Sequence, residues 1–235
     1  MTVWYDPSVA KPRLSSARTV FHARVILFDW DGTLIDSADA DTRAYLAMFA
    51  ALGISWTRSD IERHYHPDWY RVYEAARIHR SRWDEANRLW RAAYALEKPR
   101  LLPGAREVLR KLRRRFVLGL VTSGDGGRVR PQLKLLRMDG YFQACVCSED
   151  APRRKPDPAP LRLALRQLRA KPAEAIYVGD SPQDMQMARR AGVRAIGVLG
   201  PFPTAKSLSA EKPELLLKSV RDLPKYVEKC VEKTG

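Results

Sequence analysis

The sequence is poor in cysteine. Only Cys145, Cys147 and Cys230 occur in 235 residues. Such an odd and sparse set does not provide a disulfide framework, so we expect a reducing compartment and assign the protein to the cytoplasm. Cys145 and Cys147 alternate along a predicted strand. We interpret them as small core residues, because no second Cys or His pair completes a zinc site.

Long apolar runs are also missing. No stretch approaches the roughly 20 apolar residues that cross a bilayer, so we expect no membrane association. The N-terminus lacks the apolar segment of a secretory signal and carries few structural signals. We therefore treat residues 1–23 as an N-terminal extension that precedes the first strand.

Acidic residues are scarce relative to basic ones. Lys and Arg number 42 against 27 Asp and Glu, which gives a formal net charge of +15. This charge is compatible with nucleic-acid binding or with a general attraction for anionic substrates. The densest basic run, Arg110 to Arg115, ends a helix pattern, where cations suit the helix dipole. A solvated helix face is the favoured interpretation, and a nucleic-acid-binding protein is the less favoured alternative.

The chain does contain short apolar runs that alternate with helical patterns. The predicted strands are Val25–Asp29, Val117–Thr122, Ala144–Ser148, Ala175–Asp180 and Ala195–Gly200, with a short sixth near Leu215. Helices are predicted between them, at Gly104–Arg115, Gly127–Leu136, Ala159–Arg169 and Pro182–Ala191. This alternation indicates an α/β fold with a mainly parallel sheet.

One connection is far longer than a crossover requires. Between Asp31 and Val117 lie 85 residues, whereas a crossover needs about 12. The segment reads as helical, at Ala38–Leu52, Ser59–His64, Trp69–His79 and Trp83–Lys98. Its aromatic residues recur at helical spacing, and we interpret them as packing residues. We predict a helical cap domain over residues 37–98, inserted into a core domain of residues 24–36 and 99–235.

Polar residues follow the predicted strands at their carboxyl ends, where parallel α/β sheets bind ligands. Asp29 and Asp31 follow the first strand, Thr122 and Ser123 the second, Lys155 lies in the loop after the third, and Asp180 and Asp184 follow the fourth. Neighbouring carboxylates repel unless a cation lies between them. The sequence therefore predicts a site in which several acids, one lysine and one threonine meet.

The residue types at this predicted site suit a hard cation and a phosphorylated substrate. Mg²⁺ prefers oxygen ligands, which Asp29, Asp180 and the backbone carbonyl of Asp31 can provide, with Asp184 turned toward the same crevice. Asp29 is the candidate nucleophile and would form an aspartyl-phosphate. Asp31 would act as general acid and then base. Lys155, with Thr122 and Ser123, would hold the phosphoryl oxygens.

At these residues the chain resembles a known superfamily. Asp29–Thr33 (DWDGT), Thr122, Lys155 and Gly179–Asp184 (GDSPQD) match in order the four motifs of the haloacid dehalogenase superfamily. Over about residues 24 to 230 the chain is similar to its phosphoglycolate phosphatase-like branch, which has a helical cap. The resemblance implies a flavodoxin-like (Rossmannoid) core, a mobile cap after the first strand, and Mg²⁺-dependent phosphoester hydrolysis. The presence of Asp31 disfavours dehalogenation and phosphonate hydrolysis.

The predicted function is therefore a phosphatase that hydrolyses a small phosphorylated metabolite, such as phosphoglycolate, a sugar phosphate or a nucleotide. A phosphomutase of the β-phosphoglucomutase type is the alternative, because it shares all four motifs. Substrate choice should depend on the cap, where Arg43, His64, His66 and Arg71 are candidate contacts and none is singled out. The sequence leaves open whether the protein is a monomer or a dimer.

Overall fold

The core of the protein is a six-stranded parallel sheet. The computed structural model describes residues 23–66 and 68–227. The sheet strands are β1 (Val25–Phe28), β4 (Val117–Val121), β5 (Ala144–Val146), β6 (Ala175–Gly179), β7 (Arg194–Val198) and β8 (Leu215–Leu217). Their order across the sheet is β5-β4-β1-β6-β7-β8. The strand that carries Asp29 at its end is therefore central.

The central strand is buried on both faces. All four residues of β1, VILF, are buried, and Val25 pairs with Val117 on one side and Ala175 on the other. A parallel strand covered on both faces reads as a continuous apolar run. That is why β1 could be recognised from the sequence.

Within residues 23–66 and 68–227, six helices cover the two faces of the sheet. They are α5 (Ala105–Leu112), α6 (Gly126–Leu135), α7 (Ala159–Gln167), α8 (Pro182–Ala191), α9 (Ala205–Ala210) and α10 (Leu223–Val227). Successive strand residues point to opposite faces, so Phe28 packs in the apolar cluster with α5, α6 and α10, while Leu27 packs in the cluster with α7 and α8. The sheet edge that carries the carboxyl ends is left open for a site.

Four further helices lie between two very short strands. They are α1 (Ala38–Ala51), α2 (Arg58–His64), α3 (Trp69–Ala75) and α4 (Trp83–Tyr94), and they lie between β2 (Ile35–Asp36) and β3 (Arg100–Leu101). These helices have an apolar core of their own, which includes Met48, Phe49 and Tyr73. The two strands pair antiparallel, Ile35 with Leu101 and Asp36 with Arg100, so the chain enters and leaves the helical insertion side by side.

The α/β class and the parallel sheet predicted from the sequence are confirmed, and the boundaries of the helices and strands differ by a few residues. The helix predicted to reach Lys98 ends at Tyr94, and β2, β3, α9 and α10 were not predicted. The division into a core and a cap of residues 37–98 remains a prediction. The N-terminal extension, apart from its last residue, and Cys230 lie outside the described residues. Cys147 is buried and Cys145 is half-buried.

Among the described residues, no helix combines the length and the apolar character that a bilayer-crossing segment requires.

Candidate active site

Three buried aspartates meet at the carboxyl edge of the sheet. Asp29 follows β1, Asp180 follows β6, and Asp184 lies in the first turn of α8. One carboxylate oxygen from each lies within 4.8 Å of the others, and all three side chains are buried. The sequence separates Asp29 from Asp180 by about 150 positions, and the sheet order brings them together because β1 and β6 are neighbours.

Burial makes this acid cluster costly to ionise. Burial is the main cause that raises the pKa of Asp29 to about 7. The pKa of Asp180 is raised well above its usual value by burial and then by the charges of Asp29 and Asp184. A divalent cation among these oxygens would offset the repulsion, and an all-oxygen donor set suits Mg²⁺. The residues present therefore fit the metal that the sequence motifs imply.

Lys155 is a buried cation beside two of these acids. Its Nζ donates to Asp29 Oδ1 at 2.6 Å and to Asp184 Oδ1 at 2.7 Å. Burial lowers the pKa of Lys155, but the charges of Asp184 and Asp29 outweigh burial and raise it. The ammonium group is therefore charged next to the proposed nucleophile.

Tyr177 forms a hydrogen bond with Lys155. The sequence analysis did not identify this residue. Lys155 Nζ donates to the Tyr177 hydroxyl at 2.7 Å. That hydroxyl lies 2.9 Å from the carbonyl oxygen of Val121 and 3.1 Å from Asp184 Oδ1. The signal in the sequence was a polar aromatic residue inside the otherwise apolar strand AIYVG.

Asp184 is fixed by the N-terminus of α8. Its Oδ2 accepts from the backbone N–H of Ser181 at 3.0 Å and from the Ser181 hydroxyl at 2.7 Å, while the Ser181 hydroxyl accepts from the Asp184 N–H. This is a reciprocal capping box. Because both of its oxygens have partners, Asp184 is well placed to orient Lys155.

Asp31 is not one of the three clustered aspartates, and it pairs with Arg128. The Arg128 guanidinium, in the first turn of α6, donates to Asp31 Oδ1 at 2.9 Å and also to Oδ2. Burial raises the pKa of Asp31, but the charge and hydrogen bonds of Arg128 outweigh burial and leave it below the usual value. The sequence hint was a cation in the first turn of a helix, where the dipole disfavours it.

The loop after Asp31 approaches Asp180 closely. Gly32 has a positive φ of 80°, and a Cβ at this position would clash with the Asp180 carboxylate. The Thr33 hydroxyl donates to Asp180 Oδ1 at 3.1 Å. Only glycine allows both the backbone conformation and the close approach, which explains the Gly-Thr pair that follows the two aspartates.

The predicted phosphate-binding residues lie in the same cavity. Thr122 and Ser123 line it together with Asp29, Asp31 and Lys155. Thr122 is buried, and its Oγ1 accepts from the backbone N–H of Gly124 at 3.0 Å. The structure therefore brings every predicted site residue except Asp184 to the cavity wall, and Asp184 lies directly behind it.

The helical insertion between β2 and β3, called the cap below, lines one side of the cavity with aromatic side chains. The cavity has a volume of about 150 Å³. Six cap aromatics line it, namely Tyr45, Tyr65, Trp69, Tyr73, Trp90 and Tyr94. The interpretation of the cap aromatics as packing residues is thus incomplete. Four aromatics of the predicted helical pattern also line the cavity, namely Trp69, Tyr73, Trp90 and Tyr94. Asp41, which sequence reasoning did not single out, lines it as well.

Of the four cap residues considered as substrate contacts, His66 lines the cavity. Its Nδ1 accepts from the backbone N–H of Asp68 at 3.0 Å, and its Nε2 lies 3.3 Å from the side-chain amide of Gln183. Arg43 instead forms an exposed pair with Glu97, and the ring of His64 packs against Trp56. Arg71 is exposed. The contact between His66 and Gln183 joins the cap to the core.

Comparison with known proteins identifies the family. Residues 26–198 match the family described as haloacid dehalogenase-like hydrolase. Over 212 residues the chain is 30% identical to a phosphoglycolate phosphatase of Pseudomonas putida, covering 85% of this chain and 78% of the relative. It is 32% identical over 203 residues to pyrophosphatase PpaX of Bacillus velezensis, covering 84% and 93%.

A solved structure shares the fold. A crystal structure titled putative phosphoglycolate phosphatase, from Lactobacillus plantarum, superposes with a TM-score of 0.80 at 23% identity, covering 88% of this chain and 99% of that one. The matched residues 26–198 include the aspartates, the lysine and the threonine of the cavity. The chain is therefore a member of the haloacid dehalogenase-like hydrolase family.

Proposed function

We propose that the protein is a Mg²⁺-dependent phosphatase that hydrolyses a small phosphomonoester through an aspartyl-phosphate on Asp29. The observation that carries the proposal is the convergence of Asp29, Asp180 and Lys155, with Asp31 two residues from the nucleophile on the same cavity wall. Relatives named phosphoglycolate phosphatase and pyrophosphatase PpaX support a small phosphorylated substrate.

In the first step a carboxylate oxygen of Asp29 attacks the phosphorus atom. The bond from phosphorus to the leaving oxygen breaks, and Asp31, once it has left its ion pair with Arg128 and taken up a proton, transfers that proton to the leaving oxygen, so the alcohol departs neutral. Lys155 contributes positive charge beside Asp29, and Thr122 and Ser123 offer hydroxyl groups to the phosphoryl oxygens. Mg²⁺ held by Asp29, Asp180 and the Asp31 backbone carbonyl would neutralise charge on those oxygens.

In the second step water attacks the same phosphorus atom. Asp31, now ionised, accepts a proton from the water while the bond between phosphorus and Asp29 breaks. The products are inorganic phosphate, free Asp29 and protonated Asp31, which is ready for another cycle. Asp184 and Tyr177 touch neither reacting atom in this scheme. They position Lys155, which each of them contacts.

The test is the variant Asp29→Asn, because an amide cannot attack phosphorus as a carboxylate does. We expect phosphate release to fall by about 10³-fold or more, and EDTA to remove wild-type activity until Mg²⁺ is added back. Asp39→Asn is the matched control, since Asp39 is an exposed acid that pairs with Arg58 at 2.8 Å.

Near-normal turnover by the Asp29→Asn variant, or indifference of the wild type to EDTA, would refute the proposed mechanism. Analysis of the product separates the mutase alternative, because an isomerised sugar phosphate in place of inorganic phosphate identifies a phosphomutase.

A further inference from the structure

We propose that Cys145 and Cys147 form a site of reversible oxidative modification, at which a low-molecular-weight disulfide converts the two thiols into an intrachain disulfide and thereby lowers phosphate release. The effect on phosphate release rests on the proposed phosphatase function, whereas formation of the bond does not. The mechanism above uses neither cysteine. A reducing compartment is compatible with such a site, because disulfides that form there are transient and often redox-sensing.

Cys145 and Cys147 lie side by side at the edge of the sheet. In the described part of the chain β5 is an edge strand, paired with β4. Side chains two positions apart point to the same face of a strand, and here both face the apolar cluster that α5 and α6 cover. The two sulfur atoms are 4.0 Å apart. Cys145 is half-buried and Cys147 is buried, so a small reagent reaches Cys145 first.

The surroundings of Cys145 favour its thiolate, which is the nucleophile in disulfide exchange. The hydrogen bond with Cys147 is the main cause that lowers the pKa of Cys145, and the charge of Arg130 lowers it further against the effect of burial. The nearby charges of Asp150 and Glu149 oppose this shift and do not reverse it. The same hydrogen bond, together with burial, raises the pKa of Cys147. A partly accessible cysteine with a lowered pKa, next to a second cysteine, is typical of a reactive and resolving pair.

The reaction proceeds by two thiol–disulfide exchanges. The Cys145 thiolate attacks one sulfur of the reagent, whose S–S bond breaks and releases one small thiol, and Cys145 is left as a mixed disulfide. The Cys147 sulfur, after loss of its proton, then attacks the Cys145 sulfur and releases the second small thiol. The two cysteines lose two electrons and two protons, which the two released thiols carry away.

The new bond requires the chain to bend between the two cysteines. In an extended strand the Cα atoms of residues two positions apart are separated by about 6.6 Å, which is near the upper limit of about 6.8 Å for a disulfide. The sulfur atoms must also move from 4.0 Å to about 2 Å apart. β5 ends at Val146, and the N–H of Cys147 donates to Asp150 Oδ2 at 2.8 Å. Because that N–H is bound to a side chain and not to a neighbouring strand, Cys147 is the residue that can move.

Movement at Cys147 disturbs the loop that carries Thr122. The N–H of Thr122 donates to the carbonyl oxygen of Val146 at 3.0 Å, and the N–H of Ser148 donates to the carbonyl oxygen of Gly124 at 3.0 Å. The residues on both sides of Cys147 therefore hold the loop that offers hydroxyl groups to the phosphoryl oxygens in the proposed mechanism. A bent chain displaces that loop, so we expect the disulfide to weaken substrate binding and to raise KM.

The experiment treats the reduced full-length protein with oxidised glutathione. Bond formation is scored by mass spectrometry, and activity by phosphate release from p-nitrophenyl phosphate. We expect the peptide that contains both cysteines to lose two hydrogen atoms, and KM to rise by about fivefold or more. Dithiothreitol should restore both the mass of the peptide and the KM of the reduced protein.

Two variants test the roles of the two cysteines. Cys147→Ser should stop at a glutathione adduct on Cys145, and Cys145→Ser should keep its reduced-state KM in the oxidant. Cys145→Ser is decisive where Cys147→Ser does not fold, because only Cys147 of the two is fully buried. Cys230→Ser is the matched control, since Cys230 is the third cysteine of the chain and should not enter the bond, so this variant should respond like the wild type.

Thiols that stay free in excess oxidised glutathione, or a disulfide that includes Cys230, would overturn the inference. A bond between Cys145 and Cys147 that leaves KM unchanged would overturn the proposed effect on the loop. Reduced protein that releases no phosphate from any ester would instead defeat the proposed function and the effect on activity with it, while the mass of the peptide would still decide whether the bond forms.

Discussion

Arg128 is the residue whose charge determines the ionisation of Asp31. In the wild type it holds the pKa of Asp31 below the usual value against the effect of burial. In Arg128→Gln the main opponent of burial is gone, so Asp31 is left as a partly buried charge without its ion-pair partner near neutral pH. We expect a loss of about 3 kcal/mol in the free energy of unfolding at about pH 7.5, measured by urea denaturation.

The pH dependence of this loss has a definite sign. The wild-type Asp31 stays ionised between about pH 7.5 and pH 5, so it contributes no slope there. In Arg128→Gln the folded state binds more protons than the unfolded state as the pH falls, so the deficit should shrink toward about pH 5. Arg130→Gln is the control, because Arg130 pairs with Asp150 at the surface and should cost less than about 1 kcal/mol. A pH-independent deficit in Arg128→Gln would contradict the argument.

The residues of the candidate active site differ in how far the sequence reveals them. Asp29 and Asp180 could be predicted because each directly follows an apolar strand, and the end of a strand fixes where the next side chain lies. Asp31 could be predicted because it lies two residues beyond Asp29 in the same loop. Arg128 and Tyr177 were missed because their roles depend on partners 97 and 22 residues away. No local pattern encodes such contacts.

The first turn of α8 contributes both to the helix and to the candidate active site. Its capping box joins Ser181 to Asp184, and Asp184 in turn binds Lys155. In Ser181→Ala the helix loses its cap, which should cost about 1 kcal/mol, and Asp184 loses a partner. We therefore expect kcat to fall several-fold together with the loss of stability, as measured by thermal unfolding and phosphate release.

Thr57→Ala is the matched control for this prediction. Thr57 forms the same kind of capping box with Asp60 at the start of α2. Its removal should cost a similar free energy but leave kcat unchanged, because neither residue lines the cavity. Equal kinetic effects in the two variants would mean that kcat responds to helix capping in general and that Asp184 has no positioning role.

Helices and strands were predictable to the extent that their own residues determine them. The six sheet strands show buried apolar runs, and α8 was predicted with its observed bounds because Ser181 and Pro182 mark its start. The pair β2 and β3 has two residues in each strand. It exists because Ile35 pairs with Leu101 across the base of the insertion. Hydrophobic periodicity along the sequence does not predict such a tertiary contact.

At the scale of the whole molecule, contacts between cap and core enclose the site. Arg154 packs on Trp69, Tyr65 stacks on Phe202 with ring centres 4.9 Å apart, and Arg128 faces Tyr94. The sequence predicted that a helical insertion exists, from the length of one connection. How the insertion sits on the core depends on these side-chain contacts, which is why the aromatic wall of the cavity emerged only from the structure.

The cluster of buried aspartates should also lower the stability of the whole molecule. Burial raises the pKa of Asp29 to about 7 and raises that of Asp180 as well, so without metal the folded state binds more protons than the unfolded state between about pH 4 and pH 7. These two groups therefore lower stability as the pH rises. A metal ion binds the ionised carboxylates, so its stabilising effect should increase with pH.

We therefore expect the difference in Tm between samples in about 5 mM Mg²⁺ and in EDTA to be near zero at about pH 5 and to reach about 3 °C or more at about pH 8. Because the difference in Tm is taken at each pH, the effects of titrating groups elsewhere in the chain cancel. Asp180→Asn removes one buried carboxylate, so its Tm in EDTA should exceed that of the wild type at the higher pH, and its response to Mg²⁺ should be much smaller. A response of equal size at both pH values, or one that Asp180→Asn retains in full, would show that the ion binds elsewhere.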